Sequence, residues 1–203
     1  DLRIITEIRK VGKGLELVLN KWEIYPNKTE KSFDHMVKEM LEREPMLEYV
    51  PIISASAKEG QRVNRIVQAI QTVYANCRRV LGRDRVATAF ASFLEKNPVP
   101  SQNARVVQLT RACQIMVEPP VIAIETRTPE LVADSYKRYL LKQFYEEFQL
   151  QGAPLRLNFD QKLTLRKDED LEQFTESSNS VLAGVNPERD LDRKNRKGKV
   201  VRH

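Results

Sequence analysis

The sequence predicts an α/β protein in two units: a partial parallel sheet with flanking helices over residues 1–80, and a compact α+β unit over residues 81–162. A charged tail over residues 163–203 is expected to follow. Three observations carry this. Residues 1–80 alternate helical and strand-like apolar patterns, the repeat of a parallel sheet covered by helices. After Arg78-Arg79 the order becomes helix, strand, strand, helix, strand. Past Lys162 the apolar periodicity gives way to an acidic run (Asp168, Glu169, Asp170, Glu172, Glu176) and then a basic end. Such a composition stays flexible unless a partner orders it.

In chain order, Leu2, Ile4, Ile5 and Ile8 fall at helical spacing, and Gly12 and Gly14 end that helix. No capping residue stands ahead of it, so the chain is expected to begin inside a longer fold. Leu15–Leu19 is a strand-length apolar run ending at Asn20. A helix from about Thr29 carries Phe33, Met36, Val37, Met40 and Leu41 and closes before Pro45. Tyr49–Ile53 reads as a second buried strand leading into Ser54-Ala55-Ser56-Ala57-Lys58. Beyond Gly60 a long helix places Val63, Ile66, Val67, Ile70, Val73 and Tyr74 on one face, expected to be its buried one.

The second unit opens with a helix over 84–97 whose apolar set is Val86, Phe90, Phe93 and Leu94. Strands are predicted over Arg105–Arg111 and Val121–Thr126, the latter preceded by Pro119-Pro120. A helix from Pro129 to about Phe148 carries Tyr136, Tyr139, Leu140, Phe144 and Phe148 at helical spacing, which suits a core better than a stacking platform. Pro154–Phe159 closes the unit with strict alternation.

The composition bounds the function. With 41% hydrophobic residues in 203, the chain can build real cores. Its 34 basic against 28 acidic side chains give +6, compatible with a polyanionic partner without requiring one. Cys77 and Cys113 lie far apart with no histidine near either, which excludes a zinc pattern and points to a reducing compartment. No apolar run is long enough to span a bilayer, and no signal-peptide pattern opens the chain.

One pair of loops carries chemistry. Asn20-Lys21-Trp22-Glu23 follows one predicted strand and Ser56-Ala57-Lys58 follows the next. In an open parallel sheet, ligands bind at the carboxyl ends of strands, so the two loops should converge on one ligand. Guanine suits them. The Glu23 carboxylate can take the ring N1–H and the exocyclic amine together. The Asn20 amide can bond the purine's other edge, the Ala57 N–H can donate to O6, and the Lys21 stem can lie over the ring. A polar turn after a strand is the plain alternative for either loop alone. Trp22 is expected to anchor its loop, and His35 to be bland surface.

Asn20-Lys21-Trp22, then Pro51–Val63, Pro119-Pro120, Pro129–Val132, Ser135–Leu140 and Gly152–Leu157 together resemble the second GTPase domain and the KH-like domain of the Der (EngA) family. The resemblance covers about residues 1–160. It implies a partial P-loop-GTPase-type sheet followed by a KH-like domain. It also implies a GTP-binding factor of large ribosomal subunit assembly, with Asn20, Lys21 and Glu23 reading the base and Ser56, Ala57 and Lys58 completing the pocket. GTP or GDP with magnesium is the implied cofactor of the complete protein. The implied partners are rRNA, large-subunit assembly intermediates, ribosomal proteins or other assembly factors, with no membrane or DNA.

The chain departs from the family at three points. Glu23 stands where the family has Asp, and the extra methylene moves the carboxylate by roughly a bond length, enough to strain a bidentate contact. Glu118 stands where the family usually has Arg, reversing a charge in a loop expected to face RNA. No Gly-x-x-x-x-Gly-Lys-Ser/Thr and no Asp-x-x-Gly occurs, so these residues supply neither a phosphate cradle nor a magnesium motif, and on their own cannot hydrolyse GTP.

RNA contact is expected from Arg105, Arg111, Arg127, Lys137 and Arg138, with Lys142 and Arg156 beside them, although these can equally be a solvated surface. The module lacks the Gly-x-x-Gly loop that clamps nucleotides in a KH domain. In the tail, Arg193, Lys194, Arg196, Lys197 and Lys199 are the candidates for direct rRNA contact. Two other functions stay open: a non-enzymatic RNA-binding assembly scaffold with a degenerate GTPase domain, and a generic RNA-binding KH protein. The altered base motif and the tail suit an organellar relative, with the mitochondrial matrix as the expected address and the bacterial cytoplasm as the alternative.

Overall fold

The structure is a computed structural model that describes residues 2–101, 106–163 and 171. In the first unit, α1 (Leu2–Lys10) leads to β1 (Leu17–Leu19), α2 (Ser32–Arg43), β2 (Ile52–Ser54) and α3 (Val63–Cys77). The two strands are parallel, with Leu17 opposite Ile52 and Leu19 opposite Ser54. Leu15 and Leu17 turn to the side covered by α1 and α2, where Ile5, Leu15 and Leu47 form a small core with Ile8, Met40 and Leu41 against it. Pro45–Tyr49 winds into a 3-10 helix instead of opening the predicted second strand, because Pro45 at its first turn favours a helical start.

The long helix α3 runs over the predicted residues, yet its predicted face is largely uncovered. Val73 is buried and Ile66 half-buried. Val63, Val67, Ile70 and Tyr74 are exposed, Ile70 to 54%. The covered side of the helix runs instead through Ile66, Ala69, Val73 and Asn76, of which only the last two are fully buried. Periodicity reports that a helix face is apolar and does not report what covers it.

The second unit runs α4 (Arg83–Lys96), β3 (Leu109–Met116), β4 (Val121–Thr126), α5 (Asp134–Phe148) and β5 (Arg156–Asp160), the predicted order. Its sheet is β3-β4-β5, with β3 antiparallel and β5 parallel to β4. Both helices pack on one face, where Val86, Phe90, Phe93, Ile122, Leu140 and Phe144 lead the core. Phe144 meets Phe93 edge-on at 5.1 Å between ring centres. The aromatic stripe of α5 is therefore core: the Tyr136 hydroxyl donates to Asn97 O (2.6 Å) and that of Tyr139 to Phe93 O (3.0 Å). On the other face Cys113 and Ala123 meet Leu163. Leu163 and Leu171 are both buried, although the tail was expected to begin at residue 163.

The strand predicted over Arg105–Arg111 lies instead at Leu109–Met116. Register shifts between Leu109 and Ala112 and between Gln114 and Met116 break its alternation. Ala112, Cys113 and Gln114 are buried in succession because both faces of the strand are covered.

The two units meet at the amino ends of β1 and β2. Leu15 N donates to Gly152 O (2.9 Å), and Gly152 N donates to Tyr49 O (2.6 Å). Tyr49 stacks on Tyr145 at 4.1 Å. Arg156 places its guanidinium on the carbonyls of Arg9 and Lys10, where a positive charge suits the end of α1. Gly152, at φ +76, leaves no room for a side chain, since a Cβ there would lie 2.3 Å from Val73 Cγ2.

Candidate functional site

Parallel strands in register release their following residues on the same side, and the backbone pairing continues past the ends of β1 and β2. Ala55 N donates to Leu19 O (2.9 Å) and Trp22 N to Ala55 O (3.0 Å). Ala57 N then donates to the side-chain oxygen Oδ1 of Asn20 (3.1 Å). Ser56 and Gln61 exchange backbone bonds at 3.2 and 3.0 Å, which closes the Ser-Ala-Lys segment into a tight loop. Ser56 is fully buried, and its Oγ accepts from Glu59 N (3.1 Å). Asn20, Glu23, Ser56 and Ala57 thus form one cluster, with Lys21 and Lys58 exposed at its edge. Lys21 sits in the left-handed region (φ 60), turning the chain from β1 into the 3-10 helix Trp22–Ile24.

Glu23 rides on that short helix. The Ser56 hydroxyl donates to its carboxylate and holds it below the usual carboxylate range; Glu23's own backbone N–H and the charges of Lys58 and Lys21 act in the same direction. Its Oε2 is shielded from solvent and has no hydrogen-bond partner. The result is an ionised carboxylate with a shielded, unsatisfied acceptor at Oε2. Such a group is costly to leave unpaired and suited to a neutral N–H donor brought by a ligand. Beneath it Trp22, 4% exposed, stacks on Tyr25 at 4.8 Å and meets Phe33 edge-on at 5.9 Å, so it anchors the loop as predicted.

One assignment changes. The Ala57 N–H, expected to donate to a purine O6, already donates to Asn20 Oδ1. A base entering here must share that N–H, while the amide nitrogen of Asn20 still offers its own donors. Sequence reasoning also missed Arg62. Left-handed at φ 61, it sends its guanidinium back to Ser54 O and Oγ and so fixes the start of α3 to the end of β2. A basic residue just after the Gly60 turn was the available signal. A cavity of about 370 Å³ opens behind Trp22, lined by Lys28, Phe33, Ser54, Arg62 and Arg65 but by none of the predicted base-reading residues.

The donors present fit a purine base and do not fit the rest of a nucleotide. Among the described residues no group of histidine, cysteine, aspartate or glutamate could hold a metal ion, and the sequence has no phosphate loop.

The expected RNA face is partly occupied by its own carboxylates. Arg111 forms a two-bond pair with Glu125 (2.8 and 3.1 Å). Arg111, and after it Thr110, holds the Glu125 carboxyl down to about 2, so it cancels the arginine's charge at any physiological pH. Lys137 pairs with Asp134 at 3.0 Å, and Lys142 with Glu48 at 3.4 Å. Arg156 is engaged by α1. Arg127 and Arg138 are exposed. Arg105, Arg193, Lys194, Arg196, Lys197 and Lys199 lie outside the described residues. Glu118, in the loop expected to face RNA, pairs with Arg78 of the first unit at 3.1 Å, and the adjoining Pro119 lies against Gly12. The proline turn after β3 is therefore part of the seam between the units.

Fold and site together define a class: a partial GTPase-type α/β unit joined to a KH-like domain. Within that class the match is to the Der (EngA) family, whose resemblance is borne out: residues 82–159 match the family described as the C-terminal KH-domain-like domain of EngA bacterial GTPase enzymes. The chain is similar to GTPase Der of Gemmatimonas aurantiaca, 38% identical over 157 residues, 77% of this chain and 36% of that protein. It is also similar to GTPase Der of Campylobacter concisus, 35% identical over 173 residues (85% and 36%). A third relative is GTPase Der of Geobacter metallireducens, 31% identical over 159 residues (78% and 36%). The chain thus spans about a third of the length of the curated relatives it matches.

Proposed function

We propose that this chain is the base-reading and RNA-facing part of a Der-type GTPase that acts in large ribosomal subunit assembly. The observation that carries it is the cluster formed where Ala57 N meets Asn20 Oδ1, with the unsatisfied Oε2 of Glu23 beside it. In this role Glu23 accepts from the N1–H and exocyclic amine of guanine, Asn20 bonds the opposite edge, the Lys21 stem covers the ring, and Ser56, Ala57 and Lys58 frame the pocket. Adenine offers no matching pair of donors at that edge. Phosphates and magnesium belong to parts outside these residues, so no hydrolytic step is assigned to this chain. The uncovered apolar face of α3 supports the same conclusion, since the rest of a nucleotide domain would cover it.

The RNA role rests on the KH-like match and on Arg127 and Arg138, two exposed arginines of the expected set, with the basic end of the chain as a second contact. rRNA is the proposed polyanion, with assembly intermediates as the setting. The bacterial sources of the relatives favour the bacterial alternative over the mitochondrial one.

The assembly scaffold with a degenerate GTPase domain is the second reading. It is favoured by the way the loops satisfy each other, with Asn20 on Ala57 and Ser56 on Glu23. Titrating GDP and ADP into the longest natural polypeptide containing this chain separates the two. Binding of GDP alone, weakened about tenfold or more by Glu23→Ala, is expected for the base-reading role; the lost charge-assisted bonds are worth about 1.5–3 kcal/mol. Equal indifference to both nucleotides would leave the scaffold.

A further inference from the structure

The helix α3 is fastened at both ends and only half-buried, at Ile66 and Ala69, in between, with Val67 and Ile70 in solvent. At its start, Arg62 is tied to Ser54, one residue before the Ala55-Ser56-Ala57 segment. Because Ser56 and Gln61 are paired in both directions, the base-reading loop and the first turn of α3 form one closed unit. The helix then runs for 15 residues with no glycine or proline inside it, a length of about 22 Å. At its far end Val73 fills the space over Gly152. Asn76, 1% exposed, donates from Nδ2 to Gln151 O (2.9 Å) and accepts from Arg79, whose other nitrogen donates to Phe148 O (2.8 Å).

We propose that α3 is a strut that transmits occupancy of the Asn20/Ser56 loops to the segment joining α5 to β5 in the KH-like unit. The physical basis is shared opening. Since the middle of α3 is held by few contacts, the helix opens as one cooperative element, and opening releases the base-reading loop at one end and the carbonyls of Phe148 and Gln151 at the other. A ligand that binds only the closed form suppresses the opening and so protects both ends. By linkage, anything that fixes residues 148–153 in the closed form strengthens base binding by the same factor. Asn76 and Arg79 are positioning residues that join the strut to the KH-like unit and touch no ligand.

This inference rests on guanine binding at the loops, and amide hydrogen exchange separates the two claims. The longest natural polypeptide containing this chain is compared with and without GDP, reading the amides of Gly152 and Ala153, which donate to Tyr49 and Leu150. Protection is expected to rise by up to about a hundredfold at a GDP concentration one hundred times Kd. The Asn76→Ala/Arg79→Ala variant should still bind GDP and lose that response. Arg79→Lys, which keeps the charge but not the paired geometry, should lose part of it and serves if the double variant does not fold. GDP binding with unchanged protection at Gly152 and Ala153 overturns the strut and leaves the base-reading role intact. A double variant that keeps the full response also overturns the strut, and absence of GDP binding overturns both.

Discussion

The two units differ in how they are held together. The KH-like unit buries its large side chains: Phe144, Leu140, Ile122 and Val86 have essentially no exposed surface, and its helices and sheet cover one another. Among the described residues the first unit has a small core cluster of Ile5, Leu15 and Leu47, with Trp22, Ala55 and Val73 buried apart from it, and it carries Ile4, Val11, Val18, Ile24 and most of the α3 stripe in solvent. Both have normal helices and in-register strands, so local structure is not what separates them. The difference lies in coverage: two short parallel strands cannot shield a 15-residue helix, whereas three strands capped by two helices close on themselves.

That contrast is most directly broken by dividing the chain. Residues 81–171 alone are expected to unfold in one cooperative transition, and residues 1–80 alone to show none, as followed by circular dichroism against urea. A cooperative transition in 1–80 would mean that its small core suffices. Within the dense unit, Phe144→Ala should cost about 3–5 kcal/mol in the chemical denaturation of the whole chain. At the seam, Gly152→Ala should cost about 3 kcal/mol, combining a left-handed backbone with a collision against Val73. Gly60→Ala, with the same handedness and open space around it, should cost only about 1 kcal/mol. Equal losses at the two glycines would remove the seam from the account.

Smaller effects sharpen the same contrast. Replacing Val67 and Ile70 together by Ser should change the stability of this chain by no more than about 0.5 kcal/mol, because both are already in water. In a longer polypeptide that covers the stripe, the same change should cost several times more. The smallest effect concerns Glu125. Its carboxyl is held near 2, mainly by Arg111, from an ordinary value of 4.5. Its stabilising share is present above pH about 4.5 and is lost as pH falls toward 2. Glu125→Gln should flatten that part of a plot of the unfolding midpoint against pH, lying slightly below the parent at neutrality and meeting it toward pH 2.

The sequence was most readable where one kind of partner covers each side chain. Val121–Thr126 and the long helix from Val63 were placed correctly because unbroken apolar patterns mark them, and the predicted element order holds throughout. Asn20 and Ser56 were expected to converge because parallel strands leave no other choice, and the structure brings them together. What sequence could not supply was the identity of the covering surface. The apolar face of α3 was expected to be buried, and nothing in the sequence marked Glu118 as the partner of Arg78. Arg111, Lys137 and Arg156 were expected as a phosphate-binding face, yet each is met by a group distant in sequence or on the neighbouring turn. Likewise, nothing local distinguishes Asn76 or Gln114 from an ordinary polar residue. Both are buried connectors, Gln114 taking Leu81 N–H and donating to the carbonyls of Arg79 and Met116.

The contact of Val73 with Gly152 ties the histories of two separate folding units. A bulkier side chain at either place would pry apart a junction that several backbone bonds depend on, and only a side chain at 152 could be relieved, by a smaller residue at 73. Grafting this KH-like module onto a different partner domain would therefore fail unless the new surface brought one side chain of the right size to Gly152, however well each half folds by itself.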